Sequence, residues 1–209
     1  MLRQPGKYCL SALGAYDRLL IQHGTAITLS RARLFEKIND GLLGLSPAFI
    51  TGGPGPLSTR YYSNLLRAAA VTVTNDELSQ HFAQAMAKGL TRDREEGATC
   101  YGPHRDTFSF VLAGKDLAEY GSEGECRTAC LLLRLASLQV IQSRLSRRKP
   151  VVLLVDDVLG ELDKQRRGAL FEMILQSDQI LLAGTELPPE LGPRAAVTYH
   201  VAAGTVTPR

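Results

Sequence analysis

The chain has 209 residues, of which 44% are hydrophobic and 22% are charged, and its formal net charge is +3 at pH 7. This composition is typical of a soluble globular protein with one or two domains, and it excludes disordered and collagen-like classes. The longest apolar runs, Val151–Val155 and Ile180–Ala183, are far shorter than the ~20 residues of a membrane span, and no apolar core of the signal-peptide kind follows Met1, so we expect a cytoplasmic protein without membrane association.

The first part of the chain is predicted to be helical. Apolar residues recur there at three- and four-residue intervals, as on one face of a helix: Leu13, Tyr16, Leu19, Leu20, Ile27, Leu34, Phe35 and Ile38. The glycines and prolines of residues 51–56 end this helix and indicate a boundary. Beyond them, residues 71–74 are typical of a short strand, and a helix is predicted from about Asp76 to Lys88 with Asn75 or Asp76 as its cap.

From Thr99 onward the pattern becomes an alternation of strands and helices. The predicted elements are a strand at 108–112, a helix from about 122 to 145, a strand at 151–155, a helix from about 164 to 175 and a strand at 179–183. The two later strands are short apolar runs, which are typical of a parallel sheet. We therefore predict an α/β fold with a mainly helical part at residues 1–98 and a sheet-containing part at residues 99–209.

Two aspartates, Asp156 and Asp157, directly follow the apolar run at 151–155. At the carboxyl end of a buried strand, the first carboxylate is placed to hold Mg²⁺ and the second to polarise an attacking water. Gly184–Glu186 follow the next strand and should lie at the same edge of the sheet. The alternative is a strand that ends in a solvated acidic turn.

Ser122 and Gly124 stand at the predicted start of the helix that ends near Leu145. A hydroxyl and exposed backbone N–H groups at a helix N-terminus form an anion site, which the helix dipole favours. The alternative is purely structural: Ser122 caps the helix and Glu125 completes a capping box. Upstream, Gly102–Asp106 is a polar Gly-Pro-His-Arg-Asp turn whose histidine is either structural or functional.

Basic residues cluster around two predicted helix ends. They are Arg147, Arg148 and Lys149 after the first helix, and Lys164, Arg166 and Arg167 at the start of the second. Cations are favoured at a helix C-terminus in any protein, whereas the helix dipole does not favour the second group. Contact with DNA phosphates and simple solvated helix ends both remain open.

In chain order, these motifs resemble the C-terminal half of the RecF family of bacterial DNA-repair ATPases. The resemblance lies in Gly-Pro-His-Arg-Asp, then Tyr-Gly-Ser-x-Gly-x-x-Arg-Thr-Ala, then Leu-Leu-x-Asp-Asp-Val-x-x-Glu-Leu-Asp. It implies part of an ABC-type ATPase head with a mainly helical lobe II. It also implies ATP with Mg²⁺, a second head, single-stranded or gapped DNA, RecO- and RecR-type mediators, and roles in recombinational repair, replication-fork maintenance and the SOS response.

The resemblance also implies roles for individual residues. Ser122, Gly124 and the adjacent Glu125 are similar to the signature motif, which contacts the γ-phosphate held by the opposite subunit. Asp156 is similar to the Walker B magnesium ligand and Asp157 to the catalytic carboxylate. Asp163 is similar to the D-loop aspartate of the dimer seam, and Thr185 stands at the switch position after the last strand.

The sequence departs from the family pattern in its phosphate-binding parts. It contains no Gly-x-x-x-x-Gly-Lys-Ser/Thr loop, which belongs to the N-terminal half of the family, and Glu125 stands where the family usually has glutamine. We therefore expect no measurable ATP binding by this chain alone. Two interpretations remain: a part of an ATPase that acts with a P-loop half, or a diverged, non-catalytic DNA-binding or dimerisation module.

Overall fold

The computed structural model describes residues 10–50, 55–66, 73–145, 149–158, 160, 162–186, 191 and 197–208. Its elements are α1 (Leu10–Phe49), β1 (Leu57–Tyr62), α2 (Asn75–Glu96), β2 (Thr107–Leu112), β3 (Lys115–Asp116), α3 (Leu117–Tyr120), α4 (Glu123–Arg144), β4 (Val152–Asp156), α5 (Lys164–Ile174), β5 (Gln179–Ala183), β6 (Tyr199–Ala202) and β7 (Thr205–Pro208). The chain divides into two compact units, Met1–Ile141 and Gln142–Arg209. The mixed α/β class is thus confirmed, whereas the division at residue 98 stays a prediction.

The first unit is built on the long helix α1, which packs against α2. Their shared core holds Leu29 of α1 together with Leu65, Leu78, Phe82 and Met86. Phe82 comes close to α1 at Gly24, where a Cβ atom would lie 2.5 Å from the Phe82 ring. The two helices can approach this closely because glycine has no side chain at the contact.

The prediction of one apolar face on α1 is wrong for the first half of the helix. Tyr16, Leu19, Leu20 and Ile27 are 42–51% exposed. The buried positions there are instead Thr25, Thr28, Leu29 and Ala32, because small side chains let α2 pack closely. This part of α1 therefore carries a second apolar surface, which no described residue fully covers.

A three-stranded antiparallel sheet packs on α1, with the strand order β1-β2-β3. Asn39 fixes β1 to the helix, since its amide donates to the Thr59 carbonyl (3.0 Å) and accepts from the Thr59 N–H (2.7 Å). The strand predicted at 108–112 is confirmed as β2. Strand β1 pairs with β2 along its whole length, although no strand was predicted at residues 57–62.

The helix α2 begins one residue before the predicted start and is capped differently. Thr74 is the N-cap, and the Glu77 carboxylate accepts from the Thr74 N–H in a capping box. The expected caps, Asn75 and Asp76, are the first two helical residues instead. Of the strand predicted at 71–74, residues 71 and 72 lie outside the described part of the chain, as do residues 51–54 of the predicted boundary.

The second unit contains the predicted strand-helix-strand segment. β4 and β5 pair in parallel, with Asp156 opposite Ala183, and α5 buries Leu170, Phe171 and Ile174. One face of β4 is not buried as predicted, because Val152 and Leu154 are 52% and 71% exposed. The hairpin β6–β7 follows, which was not predicted from the sequence. Among the described residues, no helix is long and apolar enough to span a membrane.

Candidate functional site

The carboxyl edge of the β4–β5 sheet brings the predicted acidic residues together. Asp156 ends β4, and the Asp157 N–H donates to the Ala183 carbonyl at 3.2 Å. Because Ala183 ends β5, Gly184 and Thr185 leave the sheet at the same edge. Both aspartates and Thr185 are exposed. The predicted meeting of these residues at one sheet edge is confirmed.

Asp157 has a left-handed backbone conformation with φ of 49°. Aspartate tolerates this region better than most residues do, because its short polar side chain can interact with the nearby backbone. The change from extended Asp156 to left-handed Asp157 turns the chain away from the strand. The side chain of Asp157 therefore starts from a backbone that no longer follows the strand.

The oxygen ligands at this edge fit a magnesium ion. Mg²⁺ prefers one or two carboxylates and takes its other ligands from water and substrate phosphates. Asp156 and Asp157 supply two exposed carboxylates on adjacent residues. No group of three or more histidine, cysteine, aspartate or glutamate side chains in the described part of the chain could hold a metal by itself. A metal at this edge would thus depend on a bound phosphate for further ligands.

Asp163, the candidate D-loop aspartate, caps α5. Its Oδ1 accepts from the Arg166 N–H at 2.9 Å, and its Oδ2 lies 3.5 Å from the Arg166 Nε. The side chain is still 60% exposed. Asp163 thus has a structural role in starting the helix, while one face of its carboxylate remains accessible.

The candidate DNA-binding cations differ in their surroundings. Lys149 and Lys164 are exposed, whereas Arg166 and Arg167 are half-buried. Arg166 is also engaged by Asp163. The remaining candidates, Arg147 and Arg148, lie outside the described residues. The lysines are therefore the members of this group that are open to solvent.

The serine motif forms the capping box that the sequence left as the structural alternative. The Glu125 Oε2 accepts from the Ser122 N–H and from the Ser122 hydroxyl, each at 2.8 Å, and the Glu125 N–H donates to Ser122 Oγ at 3.3 Å. These two bonds from Ser122 hold the pKa of Glu125 below its usual value. Ser122, Gly124 and Glu125 are all exposed. A negative charge therefore stands beside Ser122 at neutral pH.

The Gly-Pro-His-Arg-Asp turn is built around a buried carboxylate. The Asp106 side chain is 1% exposed, its Oδ2 accepts from the Tyr61 hydroxyl, and Arg31 Nη1 lies 3.6 Å from the same oxygen. Burial and the bond to Asp106 raise the pKa of Tyr61. Arg31 also donates to the Pro103 carbonyl at 2.5 Å. No local sequence pattern indicates this network, because Arg31 and Tyr61 lie far from the motif in the chain.

His104 has a structural partner in this turn. One ring nitrogen lies 2.8 Å from the Thr99 carbonyl, and the adjacent Arg105 contacts Glu96 at 3.7 Å. The other Asp106 oxygen, Oδ1, is buried without a hydrogen-bond partner. Arg31 and Tyr61 thus connect the turn to α1 and β1 through polar contacts.

The sequence of the chain is similar to those of curated proteins. The chain is 33% identical to the "DNA replication and repair protein RecF" of Frankia alni, over 98% of this chain and 53% of that protein. The protein of the same description from Lachnoclostridium phytofermentans is 31% identical over 99% of this chain and 54% of its own length. The chain thus spans about half the length of the curated relatives it matches. No family model matches it.

Solved structures agree on the fold. A structure described as the recombination mediator protein RecF with ATP in the RecFOR pathway superposes with a TM-score of 0.79, at 22% identity. It covers 98% of this chain and 52% of that one. A second structure of the same mediator gives a TM-score of 0.78. Its identity to the curated relatives shows that the chain is a homologue of the RecF proteins, and it corresponds to about half of such a protein, in agreement with the C-terminal half.

Proposed function

We propose that this chain is part of a RecF-type, ATP-dependent DNA-repair protein and supplies signature and Walker B elements to a shared ATP site. The observation that carries the proposal is the sheet edge at which Asp156, Asp157 and Thr185 meet. In addition, the relatives that match nearly the whole chain are named DNA replication and repair proteins. A matching structure is described as RecF with ATP.

In this proposal each residue has one task. Asp156 would hold Mg²⁺, which would stabilise negative charge on the phosphate oxygens. Asp157 accepts a proton from the water that attacks the γ-phosphorus, while the bond to the β-phosphate breaks. Ser122 and Gly124 direct a hydroxyl and backbone N–H groups toward the γ-phosphate of the opposite site.

The exposed apolar face of β4 and β5 supports a partner for the second unit. Val152, Leu154 and Leu181 are 52–71% exposed on this two-stranded sheet. Neighbouring exposed apolar side chains of this kind are typical of a surface that binds another protein. The proposed cover is the P-loop half of the same kind of ATPase head, which acts with this chain and with a second head. Recombinational repair, fork maintenance, the SOS response and RecO- and RecR-type mediators remain part of this proposal.

A reconstitution experiment tests the proposal. The chain is mixed with the P-loop-containing half of a RecF relative, and phosphate release from ATP and Mg²⁺ is measured with gapped DNA. We expect DNA-stimulated hydrolysis, and we expect Asp157→Asn to reduce it by ~10²-fold or more, as for loss of a general base. Asp40→Asn, an exposed aspartate of α1, is the matched control. Hydrolysis that is equal in Asp157→Asn and wild type would refute the catalytic assignment.

One observation favours a second candidate, a non-catalytic DNA-binding or dimerisation module. Glu125 engages the hydroxyl that the signature role requires and adds a negative charge beside it. If the two halves associate and bind DNA but release no phosphate under any of these conditions, the non-catalytic module is the better description.

A further inference from the structure

Two cysteines lie one turn apart on α4, close to the serine motif. Cys126 and Cys130 are both free thiols, and Cys126 is half-buried whereas Cys130 is exposed. Residues four apart are neighbours on a helix, with Cβ atoms about 5–6 Å apart. Because helical side chains lean toward the N-terminus, the side chain of Cys130 lies over the turn that contains Cys126. The two thiols thus form a pair, which we call the α4 dithiol.

The spacing of the α4 dithiol determines what can join its sulfurs. A disulfide needs Cβ atoms about 3.5–4.5 Å apart, so a direct bond between the two sulfurs would distort the helix. A single atom between the sulfurs lengthens the bridge, since a bond from sulfur to zinc, for example, is about 2.3 Å long. An undistorted α4 therefore suits a bridging atom better than a disulfide.

The number of available ligands limits the identity of the bridging atom. Zinc in a structural site takes four protein ligands. In the part of the chain that the structure describes, no group of three or more histidine, cysteine, aspartate or glutamate side chains could hold a metal. A trivalent arsenic atom with one organic substituent needs only two thiolates. The α4 dithiol therefore fits a trivalent organic arsenical.

Cys126 also holds the turn that precedes α4. Its thiol donates to the Leu117 carbonyl at 3.7 Å, and the same carbonyl accepts from the Gly121 N–H at 2.9 Å. A Cβ atom on Gly121 would lie 3.1 Å from the Cys126 Sγ, so the sulfur packs against the residue directly before Ser122. A bridging atom would draw this sulfur toward Cys130 and away from the Leu117 carbonyl.

We propose that the α4 dithiol binds trivalent organic arsenicals and that its occupation loosens the turn that carries Ser122. When an organic arsenic(III) oxide reacts, two arsenic–sulfur bonds form, the arsenic–oxygen bonding breaks, and both thiol protons leave with the oxygen as water. Arsenic stays trivalent, so the reaction needs no oxidant. The site uses neither cysteine in the proposed ATP chemistry, so the inference and the proposed function can fail separately.

Binding of phenylarsine oxide tests the site. Intact mass spectrometry of the reduced full chain should show one phenylarsenic group per chain, added with loss of one water. The adduct should persist in excess 2-mercaptoethanol and should be removed by 1,2-ethanedithiol. We expect Cys130→Ser to bind at least ~10²-fold more weakly, because one arsenic–sulfur bond then replaces two linked ones.

Two further variants show that the pair and its spacing are responsible. Cys9→Ser/Cys100→Ser removes the other two cysteines of the chain and should bind as wild type does. Cys130→Ser/Leu131→Cys keeps four cysteines but moves one thiol to a position about 140° around the helix from Cys126. This variant should bind as weakly as Cys130→Ser. Circular dichroism checks that each variant is folded.

Hydrogen exchange followed by mass spectrometry tests the effect on the turn. The Gly121 amide is protected by its bond to the Leu117 carbonyl, so its exchange should become faster in the adduct. Peptides from α2 serve as the internal control and should exchange at the same rate with and without the arsenical.

Four results would overturn the inference. Equal affinity of the wild type and Cys130→Ser would show that the pair is not the site, as would loss of binding in Cys9→Ser/Cys100→Ser. Sedimentation of the adduct as a dimer would show that arsenic links two chains instead of two cysteines of one helix. Unchanged exchange at Gly121 in the adduct would contradict the loosening of the turn.

Discussion

At the scale of single residues, Glu125 is the residue whose contacts bear most directly on the role proposed for Ser122. Its carboxylate occupies the hydrogen-bonding groups of Ser122, and the lowered pKa keeps it ionised at neutral pH. Because the folded-state pKa is lowered, its capping contribution is present above the usual glutamate pKa and is lost as the pH falls through the lowered value.

We predict that Glu125→Gln raises the ATP affinity of the mixture with the P-loop half several-fold. Glutamine also serves in a capping box, so the helix start is kept while the negative charge near the triphosphate is removed. The measurement is ATP affinity in the reconstituted mixture. Glu119→Gln, in the exposed glutamate of α3, is the control, and an equal gain in that variant would point to a general charge effect.

Cys100 provides a second prediction at this scale. A hydrogen bond with Asp93, burial and the contact with Glu96 raise the pKa of Cys100 to about 11. Since only the thiolate is a good nucleophile, its alkylation by iodoacetamide should be slow at pH 8 and should rise about tenfold per pH unit up to pH ~10. Mass spectrometry of tryptic peptides gives the rate at each cysteine. A rate at Cys100 that levels off below pH 9 would contradict the prediction.

At the scale of elements, the sequence patterns were most informative where turn residues bound a strand or helix. The strands β2, β4 and β5 and the helices α4 and α5 were all predicted close to their observed ends. Each is a run of apolar residues, or an amphipathic pattern, between clear turn residues. Asp156 and Asp157 could be placed at the sheet edge from the sequence because parallel strands align their carboxyl ends.

Elements whose stability depends on distant partners were missed. Strand β1 alternates Leu57, Thr59 and Tyr61 inward, and its polar members pair with Asn39 and Asp106, which no local pattern reveals. The hairpin β6–β7 is exposed throughout, but Gly204 between two segments rich in β-formers was a usable turn signal.

The buried face of α1 was predicted wrongly, because hydrophobic periodicity alone does not show which of two apolar faces of one helix is buried.

The crossing of α1 and α2 gives a stability prediction. Gly24→Ala gains up to ~1 kcal/mol of helix propensity, but its Cβ would lie 2.5 Å from the buried Phe82 ring, and overpacking costs ~1–3 kcal/mol. The clash should win, and the free energy of unfolding in urea should fall. Gly44→Ala, at an exposed site of the same helix with no atom within 4 Å, should instead stabilise by ~0.5–1 kcal/mol. Equal effects at both sites would show that the observed crossing is incorrect.

At the scale of the whole molecule, the residues with proposed ATP-related roles are far apart in the chain. Ser122, Gly124 and Glu125 lie in the first unit, and Asp156, Asp157, Asp163 and Thr185 lie in the second. The roles proposed for these residues came from the family resemblance, because neither hydrophobic pattern nor spacing shows which ligand a segment binds.

We predict that the 209-residue chain alone does not bind ATP with a dissociation constant below ~1 mM. Its sequence contains no phosphate-cradling glycine-rich loop, and two carboxylates without that loop leave the triphosphate with little binding energy. Isothermal titration calorimetry with ATP and Mg²⁺ is the measurement. Tight binding by the unpartnered chain would contradict both the prediction and its structural basis.

Salt dependence tests the basic surface. If Lys149 and Lys164 contact DNA phosphates, binding to gapped DNA should weaken steeply with salt, and replacing either lysine by glutamate should lower the logarithmic salt slope by about one. Lys88→Glu, in an exposed lysine of α2, should leave the slope unchanged. A flat salt dependence of the wild-type chain would indicate that these lysines are merely solvated.

The left-handed backbone at Asp157 determines which substitution tests the role of its carboxylate without changing the loop. Alanine disfavours a φ of 49° by roughly 1–2 kcal/mol, so Asp157→Ala would perturb the loop as well as remove the carboxylate. Asparagine tolerates the same conformation and differs from aspartate mainly in charge. Comparing the two variants therefore separates a change of loop geometry from a change of proton transfer, a distinction that alanine scanning by itself would hide.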